Sequence, residues 1–141
     1  MVIKTILIFL IALLGYSEWL TGTSYLQRPI VLGPLVGLVM GDVVTGTIMG
    51  ATMELAMVGA ISVGAYNPPD TISGTILGVS LAMQAGADAS AALTLGIPIA
   101  TIVLALDTAL GQPVMLLLVH RIDKNVEDGD TKAITRNMLI A

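Results

Sequence analysis

The sequence predicts an all-α, polytopic membrane bundle whose helices are short, broken or re-entrant. Three observations predict it. Hydrophobic residues make up 55% of the 141-residue chain and charged residues only 11%, with a mean hydropathy of +0.92, whereas a soluble domain carries about 25% charged residues. No Lys or Arg occurs between Pro29 and His120, although Asp42, Glu54, Asp70, Asp88 and Asp107 do. The apolar runs are also cut by Gly and Pro, the pattern of discontinuous helices that line a cavity. This composition excludes a water-soluble monomer and a disordered chain. A net charge of -4 leaves no nucleic-acid footprint, and the lack of cysteine removes disulfides, thiolate metal sites and a cysteine nucleophile.

A bilayer core about 30 Å thick needs about 20 helical residues to cross it. Ile3 to Leu20 is one such span, with Lys4 at one end and Glu18 and Trp19 at the other. A cleavable signal peptide ending at Gly15-Tyr16-Ser17 is the competing reading, and the uncleaved helix is preferred because the rest of the chain is equally apolar. Thr21 to Pro29 is a polar link. Ile30 to Met40 is too short to cross, and Gly41-Asp42 divides it from the next run, Val43 to Val63, which has spanning length. Tyr66-Asn67-Pro68-Pro69-Asp70 is a strong break, since neither proline donates a backbone bond and each restricts its predecessor. Thr71 to Ala87 is another short run, and Ala89 to Val119 is interrupted by Pro98, Asp107 and Pro113. Residues 1–120 therefore form a membrane domain of four or five segments. Residues 121–141, with Arg121, Lys124, Lys132 and Arg136, read as a cytoplasmic loop under the positive-inside rule, leading into a truncated apolar segment at Met138.

Glycines recur at four-residue intervals: Gly33, Gly37 and Gly41; Gly46 and Gly50; Gly74 and Gly78. Such stripes let helix backbones approach in lipid, where Leu against Leu gains little over Leu against an acyl chain. They support a compact bundle or an oligomer.

The carboxylates divide into two kinds. Asp42, Asp70 and Asp88 each precede an apolar run, where an N-cap carboxylate bonds the free N–H groups of the first turn and suits the helix dipole. For Asp70, capping and ligand contact can coexist, because Tyr66, Asn67 and Asp70 together supply donors and acceptors for a polyol. Glu54 differs. On a helix starting after Asp42 it lies about 18 Å along the axis, near the bilayer midplane, among Met53, Leu55, Ala56 and Met57. Its readings are a hydrogen-bonded Glu holding two helices together or a substrate or ion site, and the second is preferred. Asp107 is a weaker candidate. His120, the single histidine, abuts Arg121 and reads as a helix-end residue, with no second ligand to make a metal site. No phosphate loop, nucleophile elbow or HExxH pattern occurs.

The run Gly41-Asp42-x-x-Thr45-Gly46-x-x-x-Gly50-x-x-x-Glu54-x-x-x-x-Gly59, continuing to Gly64 and Pro69-Asp70 and preceded by Arg28-Pro29, resembles the IIC subunit of the mannose/fructose/sorbose family of sugar phosphotransferase systems. The resemblance covers nearly the whole chain. It implies an inner-membrane permease, not itself an enzyme and without cofactor or metal. Such a permease works with a IID membrane subunit and with soluble IIA and IIB phosphoryl carriers. It imports a hexose-type sugar that IIB phosphorylates, with phosphoenolpyruvate as ultimate donor. Glu54 and the turn from Asn67 to Asp70 fall in the motif region associated with the translocation path; Gly41, Asp42, Thr45, Gly46, Gly50 and Asp88 are read as motif or capping positions. Family members are about double this length, so the chain resembles the first half of such a subunit.

Two other functions compete with a sugar permease. An ion- or proton-coupled secondary transporter would use Glu54 as its titrating site, and a non-transporting scaffold would use Glu54 and the glycine stripes for assembly alone. Dependence of uptake on phosphoenolpyruvate separates the first pair, and sugar binding separates the last.

Overall fold

The computed structural model describes residues 2–17, 22, 24–64, 66–127, 129 and 131–140. Among the described residues it is all-helical: α1 (Val2–Gly15), α2 (Pro29–Met40), α3 (Val43–Met57), α4 (Thr71–Gln84), α5 (Ala89–Glu127) and α6 (Thr131–Ile140). Two compact units divide the chain, Met1–Leu104 and Ala105–Ala141. Their boundary falls inside α5, earlier than the division at residue 120 drawn from charge, because compactness records packing and charge records where water begins.

The first four helices contain 14, 12, 15 and 14 residues, all short of the roughly 20 needed for a full crossing. The first run therefore ends before Leu20: α1 stops at Gly15 in a turn at Tyr16 and Ser17, and Glu18 and Trp19 lie outside the described residues. Helix α3 likewise stops well before Val63. Val58 and Gly59 turn, and the described backbone from Ala60 to Asp70 forms no helix. Only α5, from Ala89 to Val126, is long and apolar enough to cross a membrane among the described residues. It runs unbroken through Pro98 and Pro113, where the sequence suggested interruption. Each proline removes one N–H from the ladder, a loss that membrane helices accommodate. In the second unit, the charged tail is helical where it is described: Arg121 to Glu127 completes α5, and α6 comes after it.

Backbone chemistry fixes the α2–α3 hairpin. Pro29 opens α2, where its missing N–H costs nothing. Gly41 closes it at φ 101°, a left-handed conformation that disfavours any side chain. The N–H groups of Gly41 and Asp42 both reach the Gly37 carbonyl at 2.9 Å, the double closure of a Schellman-type end. Asp42 then starts α3, accepting from the Thr45 N–H at 3.0 Å and the Thr45 hydroxyl at 2.5 Å.

The returning helices meet backbone to backbone. A methyl placed on Gly33 would lie 2.5 Å from Gly50 Cα, and one on Gly46 would lie 2.5 Å from Gly37 Cα. A second glycine contact joins α4 to the start of α5: a methyl on Gly78 would lie 2.8 Å from Gly96 Cα, and one on Gly74 2.8 Å from the Gly96 carbonyl oxygen. The Asp70 N–H donates to the Ala100 carbonyl at 3.2 Å, tying the start of α4 to the same stretch. Leu32, Val36, Met49, Met53 and Val79 fill the remaining core and are fully buried. Their dispersion contacts, together with close glycine packing, hold the unit where lipid offers no hydrophobic drive.

Candidate functional site

The spacing that packs the hairpin also positions Glu54. Gly46, Gly50 and Glu54 share one face of α3 at four-residue intervals. Gly46 meets Gly37 and Gly33, and Gly50 meets Gly33 and Pro29. One turn further, Glu54 arrives at the start of α2. There its Oε2 accepts from the Ile30 N–H at 3.3 Å, and its Oε1 pairs with Arg28 Nη2 at 3.0 Å. Glu54 thus closes the open N-terminus of a neighbouring helix and faces the positive end of its dipole, in the helix-joining arrangement considered beside the substrate role. Its side chain is 15% exposed and that of Arg28 is 37% exposed, so the pair is partly screened.

Arg28 also lines a cleft of about 490 Å³, together with Tyr25, Gln27, Ser62, Pro68 and Thr71. The cleft lies within the range of about 300–1,000 Å³ typical of small-molecule sites. Its polar groups come from the approach to α2, the segment after α3 and the start of α4. Among the described residues the side-chain oxygen of Gln27 is buried with no hydrogen-bond partner, the kind of group whose desolvation asks for a donor. Arg28 carries five N–H donors in a planar fork, only some of which Glu54 occupies.

The other carboxylates are committed elsewhere. Asp70 caps α4, accepting from the N–H groups of Ile72 and Ser73 at 3.3 Å each. The Tyr16 hydroxyl donates to Asp70 Oδ2 and lies 2.8 Å from Ser73 Oγ, linking the end of α1 to this cap. Asp70 and Glu54 therefore bond to different partners, and the cleft borders the first through Thr71 and the second through Arg28. Tyr66 and Asn67 are exposed on the approach to Pro68. Asp88 starts α5, accepting from the Ser90 hydroxyl at 2.7 Å and the Ala91 N–H at 3.1 Å. In the turns they occupy, the Thr45 hydroxyl and N–H hold Asp42 below its ordinary carboxylate range, and the Ser90 hydroxyl and Ala91 N–H do the same for Asp88. Asp107 and His120 belong to the second unit and are exposed. Among the described residues, no group of three or more potential metal ligands gathers.

Sequence reasoning left Arg28, Gln27, Tyr25 and Tyr16 out of the site. A signal for Arg28 was present: it is the last base before the base-free interior, and so the nearest cation in sequence for a buried acid. Tyr25, Gln27 and Tyr16 carry no comparable signal, since the first two matter only beside Pro68 and Thr71 and the third only where the end of α1 meets the start of α4.

Fold and cleft together define a helical membrane protein with a polar site built into an apolar body. The family described as the PTS system sorbose-specific IIC component matches residues 2–141, and the chain belongs to that family. It is 32% identical over 134 residues to N-acetylgalactosamine permease IIC component 1 of Escherichia coli (strain K12), covering 90% of this chain and 47% of that protein. It is 30% identical over 132 residues to the fructose permease IIC component of Bacillus subtilis (strain 168), covering 94% and 49%. It is 28% identical over 133 residues to the mannose-specific EIIC component of E. coli (strain K12), covering 94% and 50%. The chain thus spans about half the length of these relatives. A cryo-EM structure of the mannose transporter ManYZ in complex with microcin E492 contains a chain matching 99% of this one over 56% of its own length, with 28% identity and a TM-score of 0.77.

Proposed function

We propose that the chain forms part of an inner-membrane IIC sugar permease that moves a hexose-type sugar through the cleft beside Arg28. The observation that carries this reading is Arg28, held by its ion pair with Glu54, at the wall of a cleft of about 490 Å³ otherwise furnished with neutral polar groups. Polyols are recognised by such mixtures. Guanidinium N–H groups donate to hydroxyl oxygens, the Gln27 oxygen accepts from a hydroxyl, and the Tyr25, Ser62 and Thr71 hydroxyls serve in both directions. Glu54 holds the Arg28 fork in place and presents further lone pairs to a sugar hydroxyl. Tyr66 and Asn67 meet the sugar at the rim, and Asp70 sets the turn that carries them.

In this reading the chain supplies passage, and the chemistry belongs to partners: a IID membrane subunit, and IIA and IIB carriers that phosphorylate the sugar at the expense of phosphoenolpyruvate. The tail from Arg121 faces the cytoplasm, where its bases favour that side, and the permease assembles as an oligomer. The test uses a complete permease with its partner subunits in cells lacking other uptake routes. Uptake of a labelled hexose should require phosphoenolpyruvate and deliver phosphorylated sugar. E54Q should lower that uptake by about 10- to 100-fold, the size expected for a hydrogen bond to a charged group. Unchanged uptake and binding in E54Q would remove Glu54 from the site. Uptake that a protonophore alone abolishes would replace the phosphotransferase reading with an ion-coupled one.

A further inference from the structure

Away from the sugar cleft, α1 and α4 leave two cavities along their common seam. One, of about 470 Å³, is bordered by Lys4, Thr5, Ile8, Met40, Ser80 and Gln84. The other, of about 250 Å³, is bordered by Thr5, Ile8, Phe9, Ala12, Ile76 and Leu77, and by Tyr16 at its far end. Thr5 and Ile8 belong to both, so the two form one groove that runs along α1. Its chemistry changes along its length. At one end stand a cation, an amide and hydroxyls; beyond Ile8 the walls are mainly aliphatic and aromatic, and the Ser73 and Tyr16 hydroxyls that also border this part bond to each other.

We propose that this groove binds one anionic phospholipid, with the phosphate at Lys4 and an acyl chain laid between α1 and α4 toward Tyr16. From Lys4 to Tyr16 the helix rises about 18 Å, close to the roughly 15 Å depth of one leaflet of a 30 Å hydrocarbon core. The Lys4 ammonium is exposed and donates to the Met40 carbonyl at the end of α2 at 3.3 Å. An ammonium has three N–H groups, so donors remain for a phosphate. Among the described residues neither cavity is lined by Asp or Glu, so Lys4 is the charged side chain that faces a ligand there. A zwitterionic headgroup would fill the same space, but its own cation would face Lys4. This assignment is independent of the sugar site.

The test measures thermal stabilisation of the full 141-residue chain in mixed micelles titrated with phosphatidylglycerol, phosphatidylcholine or inorganic phosphate. Phosphatidylglycerol should bind about fivefold more tightly than phosphatidylcholine, the size expected for one Lys at an anionic surface. K4Q should bring the two lipids level, and K4R should restore the preference. Because Lys4 is exposed, K4Q leaves the packing untouched. Ala12→Trp, with helicity checked by circular dichroism, should weaken both lipids by filling the acyl end. Equal affinity for the two lipids, a preference that survives K4Q, or unchanged binding in a folded Ala12→Trp variant would overturn the proposal. Stabilisation by inorganic phosphate alone would do the same, since it would mark a soluble-anion site. Loss of lipid binding in the assembled permease would also overturn it, showing the groove to be covered by protein.

Discussion

The α2–α3 seam and the α1–α4 seam lie in the same compact unit and are built in opposite ways. In the first, Gly33 and Gly37 face Gly46 and Gly50, and backbone atoms meet without side chains between them. In the second, Ile8, Ala12, Ile72 and Ile76 meet through side chains and leave cavities of about 470 and 250 Å³. Lipid tails solvate Leu and Ile as well as a neighbouring helix does, so side-chain contact alone does not force two membrane helices together. Glycine does more, because it lets carbonyls and Cα atoms approach to distances no other residue permits. The tight seam therefore sets the geometry of the ion pair at its end, and the loose one leaves room for a lipid.

The strongest way to break this contrast is Gly33→Leu. Even a methyl there would lie 2.5 Å from Gly50 Cα and 2.6 Å from the Gly46 carbonyl oxygen. Backbone on both sides cannot yield as a flexible side chain would. The hairpin should separate at a cost of more than about 4 kcal/mol, in the range of the most severe single substitutions. Size-exclusion chromatography of the solubilised chain should show almost no monodisperse protein. Recovery of normally folded Gly33→Leu would mean that the seam is far more plastic than its geometry implies.

A smaller effect belongs to the pair at the end of that seam. In a double-mutant cycle with Arg28→Ala and Glu54→Ala, the coupling energy should be about 1–2 kcal/mol. It should exceed that of an open surface pair because Glu54 is mostly covered, and fall short of a fully buried one because Arg28 is 37% exposed. Coupling near zero would leave the glycines alone responsible for the register of α2 on α3.

Legibility in the sequence tracks the range of the interactions involved. The helical membrane class and the glycine spacings were legible because both are properties of composition and period. Capping at Asp42, Asp70 and Asp88 was equally legible, since each cap is completed within the next three residues. Helix lengths were less so. Hydropathy carried the first run to Leu20 and the third to Val63, although α1 ends at Gly15 and α3 at Met57, because apolar residues continue past a turn without change of composition. Pro98 and Pro113 suggested breaks in a helix that continues through both. For Glu54, the sequence placed it inside a long run ending at Val63, whereas α3 ends three residues beyond it at Met57, and its bonds to Arg28 and Ile30 require the hairpin to close. The polar cleft was hidden for the same reason: Tyr25 and Gln27 acquire meaning only when Pro68 and Thr71 are brought beside them.

Acid should loosen the starts of α3 and α5 before it affects the glycine seams. Asp42 and Asp88 both sit below the ordinary carboxylate value, held there by hydroxyl and backbone N–H donors. A carboxylate depressed by folding stabilises the native state above its unfolded pKa of about 3.9, and that contribution disappears as pH falls through the lower folded value. Melting temperature should thus stay level from pH 7 to about 5 and fall below about 4. The fall should be shallower in Asp42→Asn, which cannot titrate. An equally steep fall in that variant would assign the acid sensitivity to other groups.

The smallest effects separate space from conformation, the two reasons a glycine is needed. Gly41 and Gly59 both have nothing within 4 Å of an added methyl, so neither is required for close packing. They differ in backbone. Gly41 sits at φ 101°, where a side chain is strained, whereas Gly59 has no such left-handed angle. Gly41→Ala should therefore cost about 1 kcal/mol by straining the closure of α2. Gly59→Ala should be neutral or stabilise by up to about 0.5 kcal/mol, since it restricts the unfolded chain without straining the native one. Both are read as shifts in thermal midpoint in micelles. If the two variants behaved alike, the turn at Gly41 would be able to relax, and the motif glycine there would be held by some interaction other than its own backbone angle.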